Sequence, residues 1–476
     1  MLLERIYDED LAQASYLIGC QAEGKALVVD PRRDHAVYER IATAHGMTIT
    51  GATETHIHAD YLSGTRELAR ATGAQMYVSD EGGPDWTYGT EFDGATRMKN
   101  GHRIQLGNIT VEAVHTPGHT PEHMSFLITD GAQADKPGFM LTGDFVFVGE
   151  VGRPDLLDAA AGGVDTRFRG AQDLFLSLRD VFLTLPDYVQ VLPGHGSGSA
   201  CGKSLGAVPT TTVGYERTFS WWAPFLAEGD MEGFVDHVLS DQPDPHAYFA
   251  RMKVENRTGP VLLPDAEDLV EHSAESLTAA MADDTVILLD TRGHGEVHAG
   301  TVKGSLTIPG LPKSASFASW IVDPAREKRS IVVLAADADE ASAYRDHLRR
   351  VGIDSVTGYI SSLDGLALTP PEVIEPEDLD AALTDGGLLL DVRNSSEYTR
   401  GHLPGAVNLS GGRVMWHLHD LPTPGTETLY TYCQAGLRNA VVSSALRRAG
   451  HEVVEIKGSY SAWAALDGSV PATTAT

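Results

Sequence analysis

Thr55-His56-Ile57-His58-Ala59-Asp60-Tyr61 is the stretch from which the rest of the chain becomes readable. In extended backbone, side chains two apart point to the same side, so His56, His58 and Asp60 can converge. Three later segments supply matching groups: Pro117-Gly118-His119, Thr142-Gly143-Asp144 and Pro193-Gly194-His195-Gly196. Each places an imidazole or a carboxylate in a glycine-containing turn after a predicted strand (108–115, 139–142 and 188–192). One histidine in a turn is usually an ordinary polar loop residue. Six such groups, each following a strand end, are better explained by metal ligation. His35, His45, His102, His115 and His123 are read as surface or packing residues.

Working outward, residues 1–255 form one large α/β unit. Strands are predicted at 26–30, 47–55, 74–79, 108–115, 123–128, 139–142 and 188–192. Helices are predicted at 34–44, with Asp34 as N-cap, and at 63–71 and 170–185. Strands rich in β-branched residues with a few helices imply sheets covered by helices. The segment 228–254 reads as helical and polar, broken at Pro243–Pro245. After Pro260 and Pro264 a second unit runs over 265–368. Thr369-Pro370-Pro371 and the acidic stretch behind it lead into a third, 374–470.

Length and composition set bounds on all of this. The chain has 476 residues, 42% hydrophobic and 21% charged, which suits about three globular domains of roughly 150 residues each. Its apolar runs are far shorter than the ~20 residues of a membrane span. Lys+Arg is 36 against Asp+Glu 66, a formal charge of −30. Such a surface repels phosphate backbones and anionic lipid, so neither nucleic acid nor membrane is expected as a partner. The acidic N-terminus is unlike a secretory signal. The 3 cysteines, Cys20, Cys201 and Cys433, cannot make a disulfide framework. A reducing, cytoplasmic setting is expected.

The last two units read as an internal repeat. One has Val286-Ile-Leu-Leu-Asp290-Thr-Arg292, then Glu296, His298 and Gly300; the other has Leu388-Leu-Leu-Asp391-Val-Arg393, then Glu397, Gly401 and His402. Alternating strands and helices at this spacing imply small, parallel, doubly wound sheets with ligands at the carboxyl ends of their strands. The two copies part where chemistry would sit. The later copy runs into Tyr432-Cys433-Gln-Ala-Gly436-Leu-Arg438, and the earlier one into Ala335-Ala336-Asp337-Ala338-Asp339. In the Cys433 loop, backbone N–H groups and a helix N-terminus would favour thiolate or persulfide anion. Cys201 lies in a glycine-rich loop just after His195 and can reach the metal pocket, or else is a small buried residue. Ser197 to Ser204 nearly spells a phosphate-binding loop, but Ser197 replaces its first glycine and the strand–helix context is missing, so nucleotide binding is rejected. Cys20 is expected to pack in a strand.

His56, His58, Asp60, His119, Asp144 and His195 together resemble the metallo-β-lactamase superfamily. That resemblance implies an αββα sandwich with metal between its sheets. The family's first motif ends Asp-His, whereas this chain has Asp60-Tyr61, and a tyrosine with a pKa near about 10 is a poor substitute ligand. One metal is therefore expected rather than two. Two histidines and one carboxylate make the facial set of non-haem Fe(II) oxygenases. The branch it resembles is the persulfide dioxygenases (sulfur dioxygenases). Carried over, one Fe(II) per chain would be held by His56, His119 and Asp144. His58, Asp60 and His195 would orient those ligands or serve as alternative ones. Gly152-Arg153-Pro154-Asp155-Leu156 also looks like that branch. Arg153, Lys203 and Tyr61 are candidate substrate-binding residues; Arg153 could instead orient Asp144, and a structural salt bridge for it is an equal reading. The Cys433 loop resembles that of rhodanese sulfurtransferases, with Cys433 as nucleophile, Arg438 beside it, and Cys201 as a possible persulfide carrier. The middle unit resembles a rhodanese domain lacking its nucleophile, and is expected to pack or space the other two.

The expected fold is an αββα metallo-β-lactamase sandwich followed by two rhodanese-like doubly wound α/β domains. The expected activity is oxidation of a low-molecular-weight thiol persulfide by O₂ to sulfite and thiol, coupled to sulfur transfer at Cys433 that forms or consumes thiosulfate. A homo-oligomer is expected. The rival readings are a glyoxalase II-like zinc thioester hydrolase and a sulfur-carrier scaffold with a vestigial metal site.

Overall fold

The computed structural model describes residues 1–161, 166–203, 205–264, 268–384 and 386–466. Ser204 of the phosphate-loop-like run and residues 467–470 of the third expected domain lie outside the described residues. The chain divides into two compact units. The first comprises Met1–Pro245 and Phe249–Pro264, and the second takes in the rest.

The first unit is built on two six-stranded sheets. One runs in chain order through Leu2–Asp8, Gln13–Cys20, Lys25–Val29, Thr48–Thr53, Gln75–Ser79 and Thr96–Met98. The other orders Thr211–Thr212, Gln190–Pro193, Phe139–Gly143, Met124–Asp130, Ile109–His115 and Arg103–Leu106. Alternation along the strands turns Tyr16, Ile18, Leu27 and Val29 of the first sheet toward Val111, Phe126, Ile128 and Leu141 of the second, which makes the central core. The opposite face of the first sheet, with Leu17, Val28 and Ile49, is covered by the helices Ala36–Ala44 and Thr65–Thr72. Met140 and Val191 of the second sheet, with Val189 just before its strand, pack on Leu174, Phe175 and Leu178 of the Thr166–Asp180 helix. The layers are thus helix, sheet, sheet, helix.

Some local expectations differ from what is found. Asp34 does not cap its helix. His35 occupies that position without a side-chain cap, and Asp34 pairs with Arg32 at 3.3 Å. The helix expected at 170–185 starts earlier and ends at Asp180, with a separate 3₁₀ turn at Phe182–Thr184. The polar segment after residue 228 resolves into Met231–Leu239 and Phe249–Thr258, the break falling where the prolines are.

The second unit holds two five-stranded sheets. In one, Val270–Glu271, Val356–Ile360, Ser330–Leu334, Val286–Asp290 and Leu306–Thr307 lie side by side, all parallel. In the other, Val373–Ile374, Val453–Ile456, Leu429–Tyr432, Leu388–Asp391 and Val407–Asn408 do the same. Numbered within each half, both sheets have the order first, fifth, fourth, second, third. The repeat seen in the sequence is therefore a repeat of topology. Both halves also lock their Asp-x-Arg in the same way. Arg292 binds Asp290 and the Gly300 carbonyl, and Arg393 binds Asp391 and the Gly401 carbonyl. No helix among the described residues is long and apolar enough to cross a membrane.

Candidate metal centre and sulfur loop

The expected ligands come together where strands of the first unit end. Thr48–Thr53 feeds the turn carrying His56, Phe139–Gly143 feeds Asp144, Ile109–His115 leads toward His119, and Gln190–Pro193 leads to His195. Gly143 has φ +48°, and a Cβ built there would lie 2.5 Å from Thr55 Oγ1 and 2.9 Å from His123 Nε2. Glycine is required for the chain to turn so tightly and to aim Asp144 inward.

One nitrogen of each ligand imidazole is tied down behind the site. His119 Nδ1 lies 3.1 Å from the Arg153 carbonyl, and His195 Nδ1 lies 3.0 Å from the Ala12 carbonyl. A carbonyl only accepts, so each Nδ1 carries the hydrogen and each Nε2 keeps its lone pair. His56 Nδ1 is 2.9 Å from Thr55 Oγ1, whose hydroxyl donates to Asp30 Oδ2 at 2.9 Å. The Nε2 atoms face Asp144: His119 at 3.5 Å, His56 at 3.9 Å and His195 at 3.4 Å. All of these side chains are buried. Both carboxylate oxygens of Asp144, and Oδ2 of Asp60, have no hydrogen-bond partner among the described residues. Buried lone pairs aimed at one another are costly unless a cation lies between them. The ligand atoms of His56, His119 and Asp144 all lie within 4.8 Å of one another, and so do those of Asp60, His195 and Cys201. The donor set fits a metal ion.

Electrostatics agree with the geometry. Burial, reinforced by neighbouring imidazoles, holds His56 well below the usual histidine range. Burial, with Lys253 and neighbouring imidazoles adding to it, does the same for His119. Both are therefore neutral, as metal ligation requires. Burial pushes Asp144 up to about 6, opposed by His195. His58 behaves differently. Burial pulls it down, but Asp30 beside it at 3.0 Å overrides this and raises it to about 9. Burial, then Asp144 and Asp60, push the Cys201 thiol well up.

Three expected substrate-binding residues are engaged elsewhere. Arg153 is fully buried and bound to Asp155 at 2.5 and 2.9 Å and to the Ala200 carbonyl. Its contribution to the centre is its own carbonyl, which fixes His119. Lys203 Nζ donates to the His237 carbonyl at 2.7 Å, at the carboxyl end of the Met231–Leu239 helix, where a cation suits the helix dipole. The Tyr61 hydroxyl is buried and donates to the Asp30 carbonyl at 3.2 Å.

Several residues essential to this arrangement carry no sequence signal. Asp30 anchors Thr55 and His58. His123, expected at the surface or in packing, is buried; its Nε2 accepts the Asp144 N–H at 3.2 Å, and its ring stacks on His56. Burial drives its pKa down to about 3, which keeps Nε2 an acceptor. Glu122 accepts the Ile57 N–H at 2.8 Å. Asn256, far away in sequence, donates to the His58 and Tyr61 carbonyls at 2.9 and 2.7 Å and accepts from Ser63 N–H at 2.9 Å.

In the second unit, the strand Leu429–Tyr432 runs into the Cys433 loop and the helix Leu437–Arg448. The Gly436 N–H donates to Cys433 Sγ at 3.1 Å, and the Ser459 hydroxyl lies 3.9 Å from the same sulfur. Gly436 takes φ +106°, which a side chain would resist. Arg438 forms two bonds with Glu397, at 2.7 and 2.8 Å. In the matching loop of the other half, Ala336 N–H binds Glu340 and Asp337 caps the following helix. That loop is closed by its own acids and has no sulfur.

The first unit, with its paired sheets and histidine–aspartate centre, is that of the metallo-β-lactamase superfamily, to which the chain belongs. The superfamily's model matches residues 8–195, and that of the rhodanese-like domain matches residues 375–466. A crystal structure described as a metallo-beta-lactamase from Staphylococcus aureus is 38% identical with a TM-score of 0.67, covering 76% of this chain and 99% of that one. The bovine protein named persulfide dioxygenase ETHE1, mitochondrial, is 27% identical over 165 residues, 34% of this chain and 59% of that protein. A hydroxyacylglutathione hydrolase from Synechococcus is 30% identical over 133 residues, 27% of this chain and 48% of that protein. The chain thus spans only about half of either named enzyme's length.

Proposed function

We propose that this chain is a bifunctional enzyme of sulfide detoxification. In the first unit a thiol persulfide reacts with O₂ and water to give sulfite and the free thiol: RSSH + O₂ + H₂O → RSH + SO₃²⁻ + 2 H⁺. One Fe(II), held by His56, His119 and Asp144, would supply Lewis-acid and redox chemistry for sulfur and dioxygen together. Thr55 and the Arg153 carbonyl hold the two imidazoles and His123 accepts the Asp144 backbone N–H, while Asp30 keeps His58 charged beside them. In the second unit Cys433 takes the outer sulfur of thiosulfate, releasing sulfite and leaving Cys–S–S⁻. The reverse step makes thiosulfate. The Gly436 amide, donating to Sγ, stabilises the attacking thiolate. The earlier half, with the same strand order and no cysteine, is read as a rhodanese-like domain that has lost its nucleophile.

The observation that carries the reading is the buried set of His56, His119 and Asp144, with lone pairs directed at one point, on the same chain as a rhodanese-like sulfur loop. The test is metal analysis together with an oxygen-electrode trace on glutathione persulfide. About one iron per chain is expected, with oxygen uptake that His119→Ala abolishes along with the metal. Two zincs per chain, or thioester hydrolysis without oxygen uptake, would instead establish the hydrolase.

A further inference from the structure

The helix that leaves the sulfur loop, Leu437–Arg448, packs against the earlier half of the same unit. Ser444 Oγ accepts the Thr307 N–H at 2.9 Å, and Arg448 donates to the Gly304 carbonyl at 3.1 Å. The short helix His294–Ala299 of the earlier half also reaches this helix, near its loop end. His298 Nε2 lies 3.1 Å from Glu455 Oε2, and the same oxygen accepts from Asn439 Nδ2 at 3.2 Å. Asn439 directly follows Arg438. One turn before His298, the His294 ring lies against Gly436. Its Cδ2 and Nε2 are 3.3 and 3.4 Å from the place a Gly436 Cβ would take. The imidazole thus abuts the residue whose amide donates to Cys433 Sγ.

Nothing in the repeat demands histidine there. Arg292, Glu296 and Gly300 match Arg393, Glu397 and Gly401 at equal spacing, which sets Ser395 and Thr399 opposite His294 and His298. His298 is engaged with Glu455. The His294 ring is half-buried, and no hydrogen bond to another described residue occupies it. The two arginines at the loop are committed already. Arg438 makes two bonds with Glu397, and Arg393 binds Asp391, the Gly401 carbonyl and Gln434 Oε1. Thiosulfate and sulfite are dianions, and a loop whose own guanidiniums are neutralised has room for a further donor to their oxygens.

We infer that the earlier half completes the sulfur site, and that a ring N–H of His294 donates to the sulfonate oxygens of thiosulfate. The inference rests on the thiosulfate reading above and names a substrate-binding residue for it. The Cys433 thiolate attacks the outer sulfur. The S–SO₃ bond breaks with its electron pair going to sulfite, and Cys433–S–S⁻ remains. Charge builds on the sulfite oxygens as that bond opens, so a donor already aimed at them stabilises the transition state as well as the bound substrate. His294 exchanges no proton in this step.

Thiosulfate–cyanide kinetics of the full chain separate the two half-reactions. kcat/KM for thiosulfate reports sulfur uptake by Cys433, and kcat/KM for cyanide reports its removal. His294→Ala should lower the first at least tenfold and leave the second within twofold, since cyanide carries no sulfonate. His294→Asn keeps an N–H donor and should recover part of the loss. Both constants scale with the amount of folded protein, so their ratio is unmoved by a variant that folds poorly. An equal loss in both would mean that His294 only props the Gly436 loop, and no loss in either would leave it without a role; each result overturns the inference. Should the wild-type chain form no thiocyanate, the thiosulfate reading fails separately. Calorimetric titration of sodium thiosulfate into Cys433→Ser, with and without His294→Ala, then still decides the site. Binding weakened tenfold by the second substitution upholds it, and binding absent from Cys433→Ser, or equal in both proteins, overturns it.

Discussion

Asn256→Ala should loosen the metal turn without touching a ligand. The side chain is fully buried and makes three hydrogen bonds: to the His58 and Tyr61 carbonyls and from the Ser63 N–H. Truncation strips partners from two carbonyls and one amide in a dry site. Each unpaired buried group costs roughly 1–3 kcal/mol. Carbonyls tolerate this better than amides, and a water can enter the space left behind. A total of about 3–5 kcal/mol follows. For a unit of this size, that corresponds to a fall of roughly 10 °C in the unfolding midpoint. Scanning calorimetry of the full chain, with metal content measured on the same sample, reads both consequences. Asn256→Asp separates bracing from packing. It keeps the volume and the acceptor for Ser63 N–H, but sets a carboxylate against two carbonyl oxygens, so it should do no better than alanine. If the alanine variant unfolds within 2 °C of wild type and holds its metal, or if aspartate restores both, the bracing argument is wrong.

Three further outcomes follow from the second unit. Cys433→Ser should abolish thiocyanate formation from thiosulfate and cyanide, leave oxygen uptake intact, and shift the product from thiosulfate to sulfite; unchanged product ratios would refute the relay. Gly436→Ala forces a Cβ onto a residue at φ +106° and sets it 3.3 Å from the His294 ring. At about 1–2 kcal/mol of backbone strain, most of it displacing the amide that faces Cys433, transfer should fall about tenfold, as read by the same assay. Glu455 is buried, and although burial raises its pKa, His298 at 3.1 Å and Arg447 at 2.9 Å bring it below the usual carboxylate value. A depressed folded pKa gives stability that is present above the unfolded value of about 4.3 and lost as pH falls through the folded one. The gap in urea midpoint between wild type and Glu455→Gln should therefore be wide at pH 7 and narrower at pH 4. A constant gap would show that charge is not the cause.

What could be read in the sequence, and what could not, divides along a physical line. Ligands that follow strand ends announce themselves, because the strand, the glycine and the imidazole are neighbours in the chain. His56, His119, Asp144 and His195 were visible for that reason, and so was the Cys433 loop, whose glycine and following helix are local. The repeat was legible because Asp-x-Arg and its glutamate fall within one strand–turn–helix segment, and the shared strand order follows from that spacing. The groups that hold the ligands still are different in kind. Asp30 reaches Thr55 across neighbouring parallel strands, and Asn256 reaches His58 from 198 positions away. His123 looks like any polar residue beside a strand until Asp144 is seen to lie against it. Lys203, a cation near a glycine-rich loop, suggested an anion site but donates to the His237 carbonyl, whereas Arg153 forms the salt bridge, to Asp155, that its motif equally allowed. Lys253 gives no such signal, a lysine in a polar helix that the fold buries without a hydrogen-bond partner among the described residues. Charge in a sequence marks where an anion could bind. Only the accounting of partners shows which cations are already committed, and that accounting depends on contacts between residues far apart in the chain.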